Sequence, residues 1–249
     1  MLQNPHLEGK TFYWKNGETG IVLFHGLTAT TAEVRPLAQF LFDQGYSVFC
    51  PLLPGHLTTP ADLNRRTWHE WVEAGEKSYQ QISNDCKHVF LAGTSMGGLV
   101  ALELARKHPE ARGILLYAPA IRIPRMFIAA LLWPFVPYLK KKPGPRPMPW
   151  QGYTVRSVRA VNQLRLFQKH IWRHLSEIHQ PTLIMQGELD QTIDPQGANL
   201  LYQELPSTAK ELIWLDDSTH CIILDRQLDV ICQKTAQFIQ SILEEENAP

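Results

Sequence analysis

Gly93-Thr94-Ser95-Met96-Gly97 is the run whose residue types and spacing carry the plainest chemistry. It follows the apolar run His88 to Ala92 and precedes a helix-like run from Met96 to His108, so Ser95 stands at a strand-to-helix turn. Such a turn strains the backbone and projects the hydroxyl, and the flanking glycines are needed because a side chain there would meet the neighbouring strand or helix. The helix start beside the serine favours developing negative charge. The chemistry on offer is nucleophilic attack through a covalent intermediate.

A serine hydroxyl needs a base, and the base needs a carboxylate to orient it. With the nucleophile at this kind of turn, the acid follows a late strand and the base follows the last one. Asp190 lies in Gly187 to Pro195, after the apolar run Pro181 to Met185, and His220 ends Asp216-Asp217-Ser218-Thr219-His220, after Glu211 to Leu215. Glu188 competes with Asp190 for the acid position. Asp194 before Pro195 suits a helix start, and Asp216 and Asp217 suit a solvated turn. Of the ten histidines only His220 occupies the base position; His69, His108 and His170 read as surface or helix-end residues.

Attack on an ester places charge on the carbonyl oxygen, which two preorganised N–H donors can stabilise by several kcal/mol. Met96, next after the serine, supplies one donor, and Leu27 in His25-Gly26-Leu27-Thr28 supplies the other. His25 itself reads as a support for that loop, because the base belongs near the C-terminus.

These residues need a frame. Short apolar runs at Gly20 to Phe24, Tyr46 to Pro51, His88 to Ala92, Gly113 to Tyr117, Pro181 to Met185 and Glu211 to Leu215 read as buried parallel strands. Segments with three- and four-residue apolar spacing separate them: Ala32 to Gln44, Thr67 to Ile82, Met96 to His108, Gln196 to Leu205 and Leu228 to Leu243. Strand alternating with helix gives an α/β fold, a parallel sheet covered on both faces, with sites at the carboxyl ends of its strands. Thr11 to Trp14 reads as an antiparallel edge strand. The alternation breaks between Ala118 and Gln180, too long for a structureless loop, so the segment is expected to fold as a cap. The division expected is a core of 1–118 and 181–249 with a helical cap of 119–180.

Composition narrows the classes. The chain has 249 residues, 24 Lys plus Arg against 24 Asp plus Glu, so no field concentrates nucleic acid, and a nucleic-acid partner is disfavoured. The four cysteines, Cys50, Cys86, Cys221 and Cys232, form no metal or disulfide pattern and read as reduced thiols of a cytoplasmic protein. Met1 to Lys10 lacks the features of a secretory signal. Met126 to Leu139 is too short, with Pro134 and Pro137, to span a bilayer, so no stable membrane insertion is expected.

With these elements in place the chain resembles the bacterial carboxylesterase and monoacylglycerol lipase group of the α/β-hydrolases, the small capped thermostable type found in bacilli. The likeness is carried by Leu23 to Thr28, Ala32 to Leu37, Pro54-Gly55-His56, Gly93 to Gly98, Gly187 to Pro195 and Thr219 to Asp225. It implies the α/β-hydrolase fold with a helical cap after the sixth strand, a triad of Ser95, Asp190 and His220, an oxyanion hole at Leu27 and Met96, no cofactor or metal, and short- to medium-chain esters or monoacylglycerols as substrates. Two departures bear on substrate range: Leu57 where the group has glycine, and the proline-rich stretch Pro143 to Pro149.

The substrate is expected to lie against Gly26 and Thr28 and against cap residues including Phe127 and Leu131, an apolar surface that suits an acyl chain. A cap flanked by Arg125 and Lys140 to Lys142 could also rest on a lipid surface. The same fold and triad serve acyltransferases, thioesterases and carbon–carbon bond hydrolases, and a slow-turnover small-ligand receptor is the reading from another class. The expected partner is a small ester or lipid-like molecule, and the expected state a monomer or weak homodimer.

Overall fold

The computed structural model of the chain describes residues 2–141 and 148–247. Lys142 and most of the proline-rich stretch lie outside the described residues. In chain order the elements are β1 (Leu2–Gln3), β2 (Phe12–Trp14), β3 (Thr19–Phe24), a 3-10 turn at Thr31–Glu33, α1 (Arg35–Asp43), β4 (Ser47–Cys50), α2 (Pro60–Arg65), α3 (Trp68–Ser83), β5 (His88–Thr94), α4 (Met96–Lys107) and β6 (Gly113–Tyr117). There follow α5 (Phe127–Leu132), β7 (Tyr138–Lys140), β8 (Gly152–Tyr153), β9 (Val155–Ser157), α6 (Val158–His174), β10 (Thr182–Gly187), α7 (Gln196–Glu204), β11 (Lys210–Leu215) and α8 (Leu228–Asn247).

Apolar residues at successive positions make the inner strands buried on both faces, which is what a parallel sheet clad in helices requires. The seven-stranded sheet runs β11-β10-β6-β5-β3-β4-β2, all parallel except β2, which pairs antiparallel with β4 at the edge. Val22, Phe24, Leu91, Ile114, Leu116 and Ile184 point into one core layer, with α3, α4 and α6. Their neighbours Ile21, Leu23, Phe90, Leu115, Leu183 and Met185 point into the other, with α1 and α8. Each fully buried aliphatic or aromatic side chain contributes roughly 1.5–3 kcal/mol. Helix starts are set locally: Thr59 caps α2 with Pro60 in its first turn, and Thr67 with Glu70 forms a capping box at α3.

Residues 119–180, between β6 and β10, hold α5, three short strands and α6. α6 buries Leu164, Phe167 and Ile171 among the core residues that α3 and α4 contribute. β7 pairs with β9, and β8 with β1, both antiparallel. No described helix is long and apolar enough to cross a membrane, and α5 is only six residues long.

Candidate active site

Ser95 is the single residue between β5 and α4, with φ 53° and ψ −117°. A non-glycine residue in such a conformation costs about 1–3 kcal/mol and persists only where its surroundings hold it. Ser95 N–H donates to Tyr117 O at 2.9 Å, and Ser95 O accepts from Gly98 N at 3.1 Å and Ala120 N at 3.0 Å. A methyl group on Gly93 would lie 2.2 Å from the Gly97 carbonyl, and one on Gly97 would lie 2.2 Å from Phe24 O. Helix and strand close on each other only because both positions lack a side chain.

The late loops bring in the other two groups. His220 Nε2 lies 2.9 Å from Ser95 Oγ, and His220 Nδ1 lies 2.7 Å from Asp190 Oδ2. A carboxylate only accepts, so Nδ1 carries the proton and donates to Asp190, which leaves Nε2 to accept from the serine hydroxyl. Asp190 Oδ1 accepts from Thr192 N at 2.7 Å and Ile193 N at 3.1 Å, and Oδ2 also accepts from Gln186 Nε2 at 3.1 Å. The His220 loop is tied by Asp225, whose Oδ2 accepts from Thr219 N and Oγ1 at 2.8 and 2.6 Å. Asp190, not Glu188, faces the imidazole; Glu188 is exposed. Asp194 Oδ1 accepts from Gln196 N at 3.0 Å at the start of α7, as expected of a cap, and its Oδ2 pairs with Arg122 at 2.9 Å.

Burial alone would raise the Asp190 pKa, but the His220 charge and hydrogen bond, with the Thr192 and Ile193 N–H groups, hold it below the ordinary value. For His220 burial pulls the pKa down, and the charge and hydrogen bond of Asp190, with the charge of Glu33, bring it above 6.5. Carboxylate and imidazole thus each favour the charged form of the other.

The loop after β3 sits against the serine: a methyl group on Gly26 would lie 3.3 Å from Ser95 Cβ. Two buried histidines hold it. His25 Nε2 accepts from Leu53 N at 3.1 Å, so its Nδ1–H donates to Gly26 O at 2.9 Å. His56 Nε2 accepts from Thr28 N at 3.1 Å, so its Nδ1–H donates to Leu53 O at 3.0 Å. Burial lowers His25 to about 4 and His56 well below its usual value, so both remain neutral. His25 thus supports the loop, as its sequence position implies. Leu57, next to His56, adopts φ 55°, the left-handed conformation that glycine takes without strain.

Glu33 lies in the Ala32 to Leu37 run that carries the family likeness, but its type and spacing assign it no role of its own. It is buried, and its Oε2 accepts from Gly26 N at 2.7 Å. Its Oε1 lies 3.8 Å from Cys221 Sγ, and the Trp150 side chain lies close enough to favour its charged form. Burial raises its pKa against these contacts and the charges of His220 and Lys141. Among the described residues Leu27 N–H donates to no backbone acceptor, and Met96, first in α4, has no intrahelical acceptor for its own. Met96 directly follows Ser95 in the chain, and Leu27 directly follows Gly26, which lies against Ser95.

The expected substrate contacts divide. Gly26 abuts Ser95, and Thr28 is buried beside the loop, with its Oγ1 accepting from Lys141 Nζ. Phe127 and Leu131 are 62% and 67% exposed, whereas Met126 and Ala129 turn inward at 8% each. The structure does not enclose Phe127 or Leu131 in an apolar channel.

The model of the alpha/beta hydrolase family matches residues 21–233. The chain is 32% identical over 244 residues to a thermostable monoacylglycerol lipase of Bacillus sp. (strain H-257), covering 95% of this chain and 96% of that protein. It is 25% identical over 238 residues to a carboxylesterase of Bacillus subtilis (strain 168), covering 94% and 97%. Among solved structures, one from work on the metagenome-derived lipolytic enzymes LipS and LipT superposes with a TM-score of 0.89 at 28% identity, covering 94% of this chain and 99% of that one. A monoacylglycerol lipase of Paleococcus ferrophilus, at 19% identity and a TM-score of 0.79 over 95% of this chain and all of that one, shares the fold. Sequence, fold and the arrangement around Ser95 agree, and the chain belongs to the alpha/beta hydrolase family.

Proposed function

We propose that the chain hydrolyses carboxylic esters, monoacylglycerols or other short- to medium-chain acyl esters, through an acyl-enzyme on Ser95. The observation that carries this is the unbroken chain from Ser95 Oγ to His220 to Asp190, at 2.9 and 2.7 Å, on a turn strained at the serine. The names of the two Bacillus relatives point to the same bond.

In the first step Ser95 Oγ attacks the ester carbonyl while His220 Nε2 takes its proton. Asp190 stabilises the imidazolium so formed. The oxyanion is received by the N–H groups of Leu27 and Met96, a stabilisation worth several kcal/mol in a dry site. The proton on His220 then passes to the departing alcohol, leaving the acyl group on Ser95. Water, activated by the same imidazole, attacks the acyl-enzyme and releases the acid, returning the serine its proton. Gly26 and Thr28 border the reacting carbonyl, Phe127 and Leu131 meet the outer part of an acyl chain, and residues 119–180 act as the cap that sets substrate range. Four free thiols fit a cytoplasmic protein, working as a monomer or weak homodimer.

A panel of p-nitrophenyl esters from two to sixteen carbons, with monoacylglycerols of matching acyl length, tests the proposal. Turnover of both series by the wild type, absent in Ser95→Ala, is expected. A wild type that binds these esters but turns none over would overturn the hydrolase reading in favour of a ligand receptor.

A further inference from the structure

Lys140 and Lys141 are neighbours in sequence and opposites in the fold. β7 pairs antiparallel with β9, Lys140 opposite Val155, and Lys141 N–H extends the ladder by donating to Thr154 O at 3.3 Å. Side chains alternate across such a ribbon, so Lys140 faces solvent while Lys141 is carried inward, where it is partly buried. There its Nζ donates to Thr28 Oγ1 and lies 4.1 Å above the Trp150 ring.

Thr28 is a fixed anchor. It is buried at φ 68°, its N–H is spent on His56, and its carbonyl accepts from Tyr153 N at 3.0 Å. It directly follows Leu27, the proposed oxyanion donor. The ammonium is also close enough to the triad for its charge to act on His220, Cys221 and Glu33. Among the described residues no carboxylate forms an ion pair with it. Burial, with the charge of Arg156, brings its pKa down to about 8, so it is still mostly protonated at neutral pH.

A desolvated ammonium whose direct partners are a hydroxyl and an aromatic face, with the charge of the buried Glu33 near it but not paired to it, is costly to maintain, and an incoming anion would complete its coordination. Resting on the ester-hydrolase reading above, we propose that Lys141 is a specificity-determining residue, giving the site a corner that selects esters bearing a second oxyanionic group, carboxylate or phosphate, over neutral esters of the same length. The anion would accept from the Nζ protons not directed at Thr28, while the ester carbonyl lies between the Leu27 and Met96 N–H groups.

The test is a ratio of kcat/KM values. One arm compares the mono-p-nitrophenyl ester of a linear dicarboxylic acid with the p-nitrophenyl ester of the neutral acid of equal length. The other compares 1-acylglycerol 3-phosphate with 1-monoacylglycerol of the same acyl chain. An anionic-to-neutral ratio well above one in either arm is expected for the wild type, and the arm that shows it distinguishes carboxylate from phosphate. A charge-assisted hydrogen bond is worth about 1.5–3 kcal/mol, so Lys141→Gln and Lys141→Met should each reduce that ratio by about tenfold or more, with Lys141→Arg retaining part of it. A wild-type ratio at or below one in both arms overturns the proposal while leaving the hydrolase reading intact, as does a ratio unchanged in the Gln and Met variants. Failure of the wild type to hydrolyse any of the four esters overturns both.

Discussion

The turn that carries Ser95 and the helix α5 show two ways of using apolar sequence. Around the turn, Phe24, Met96, Leu99, Leu116 and Tyr117 are wholly buried, and Gly93 and Gly97 leave no room for a methyl group. On α5 only Ala129 is buried among its six residues, and the large side chains of Phe127, Ile128 and Leu131 stand out into solvent. A close-packed frame fixes atoms to fractions of an ångström, which is what a proton relay needs. An outward-facing apolar helix fixes little, but it offers surface to acyl chains or to a lipid layer. Reaction type should therefore depend on the frame, and substrate range on the 119–180 segment.

The comparison breaks most sharply at the serine. Ser95→Ala should lower kcat for p-nitrophenyl butyrate by a factor on the order of 10⁴ or more with the fold retained, read by initial rates and circular dichroism. Asp190→Asn should cost about 10³–10⁴ in kcat, because the amide no longer holds the Nδ1–H tautomer. The same change removes the largest influence raising the His220 pKa, so the acid limb of the remaining activity should shift to lower pH.

For the wild type the sign follows from the base. His220 must be neutral to take the serine proton, and Asp190 raises its pKa above 6.5, so kcat/KM should fall as pH drops through a value above 6.5. A sequence reading alone places that limb near the ordinary imidazole value of about 6.5. A pH–rate profile separates the two, and activity flat from pH 8 to pH 4 would remove His220 as the base.

Glu33→Ala leaves the Gly26 N–H without its buried acceptor, a loss of about 1–3 kcal/mol, and should lower both Tm and kcat, since Gly26 stands against Ser95. At the small end, Phe127→Ser and Leu131→Ser should each change stability by less than about 0.5 kcal/mol in urea unfolding while altering the chain-length profile. A core truncation such as Leu116→Ala should cost about 2–5 kcal/mol in the same assay.

Much of the frame is legible in the sequence because runs of four or more apolar residues and helical spacing leave strong patterns. The strands around Gly20, Tyr46, His88, Gly113, Pro181 and Glu211, and the antiparallel edge at Thr11 to Trp14, fall within two residues of where the structure puts them. β1, β8 and β9 are two or three residues long, too short for periodicity to register, and their pairing depends on partners far along the chain. α2 escaped for a similar reason: its six residues bury only Leu63. The relay of Ser95, Asp190 and His220 follows from chain order and loop placement. Glu33 and Lys141 do not, since nothing local marks a charged residue as buried; the contacts that bury Glu33 come from Gly26, Cys221 and Trp150, and those that turn Lys141 inward come from the β9 ladder and Thr28.

The central claim is that Ser95 is the nucleophile, activated by His220. Incubation with a fluorophosphonate, followed by digestion and mass spectrometry, tests it directly. The expected result is one phosphonyl adduct, on the peptide holding Ser95, that is absent in Ser95→Ala and slower to form in His220→Ala. An adduct on another residue, equal labelling of the Ser95→Ala chain, or no labelling of the wild type would contradict it.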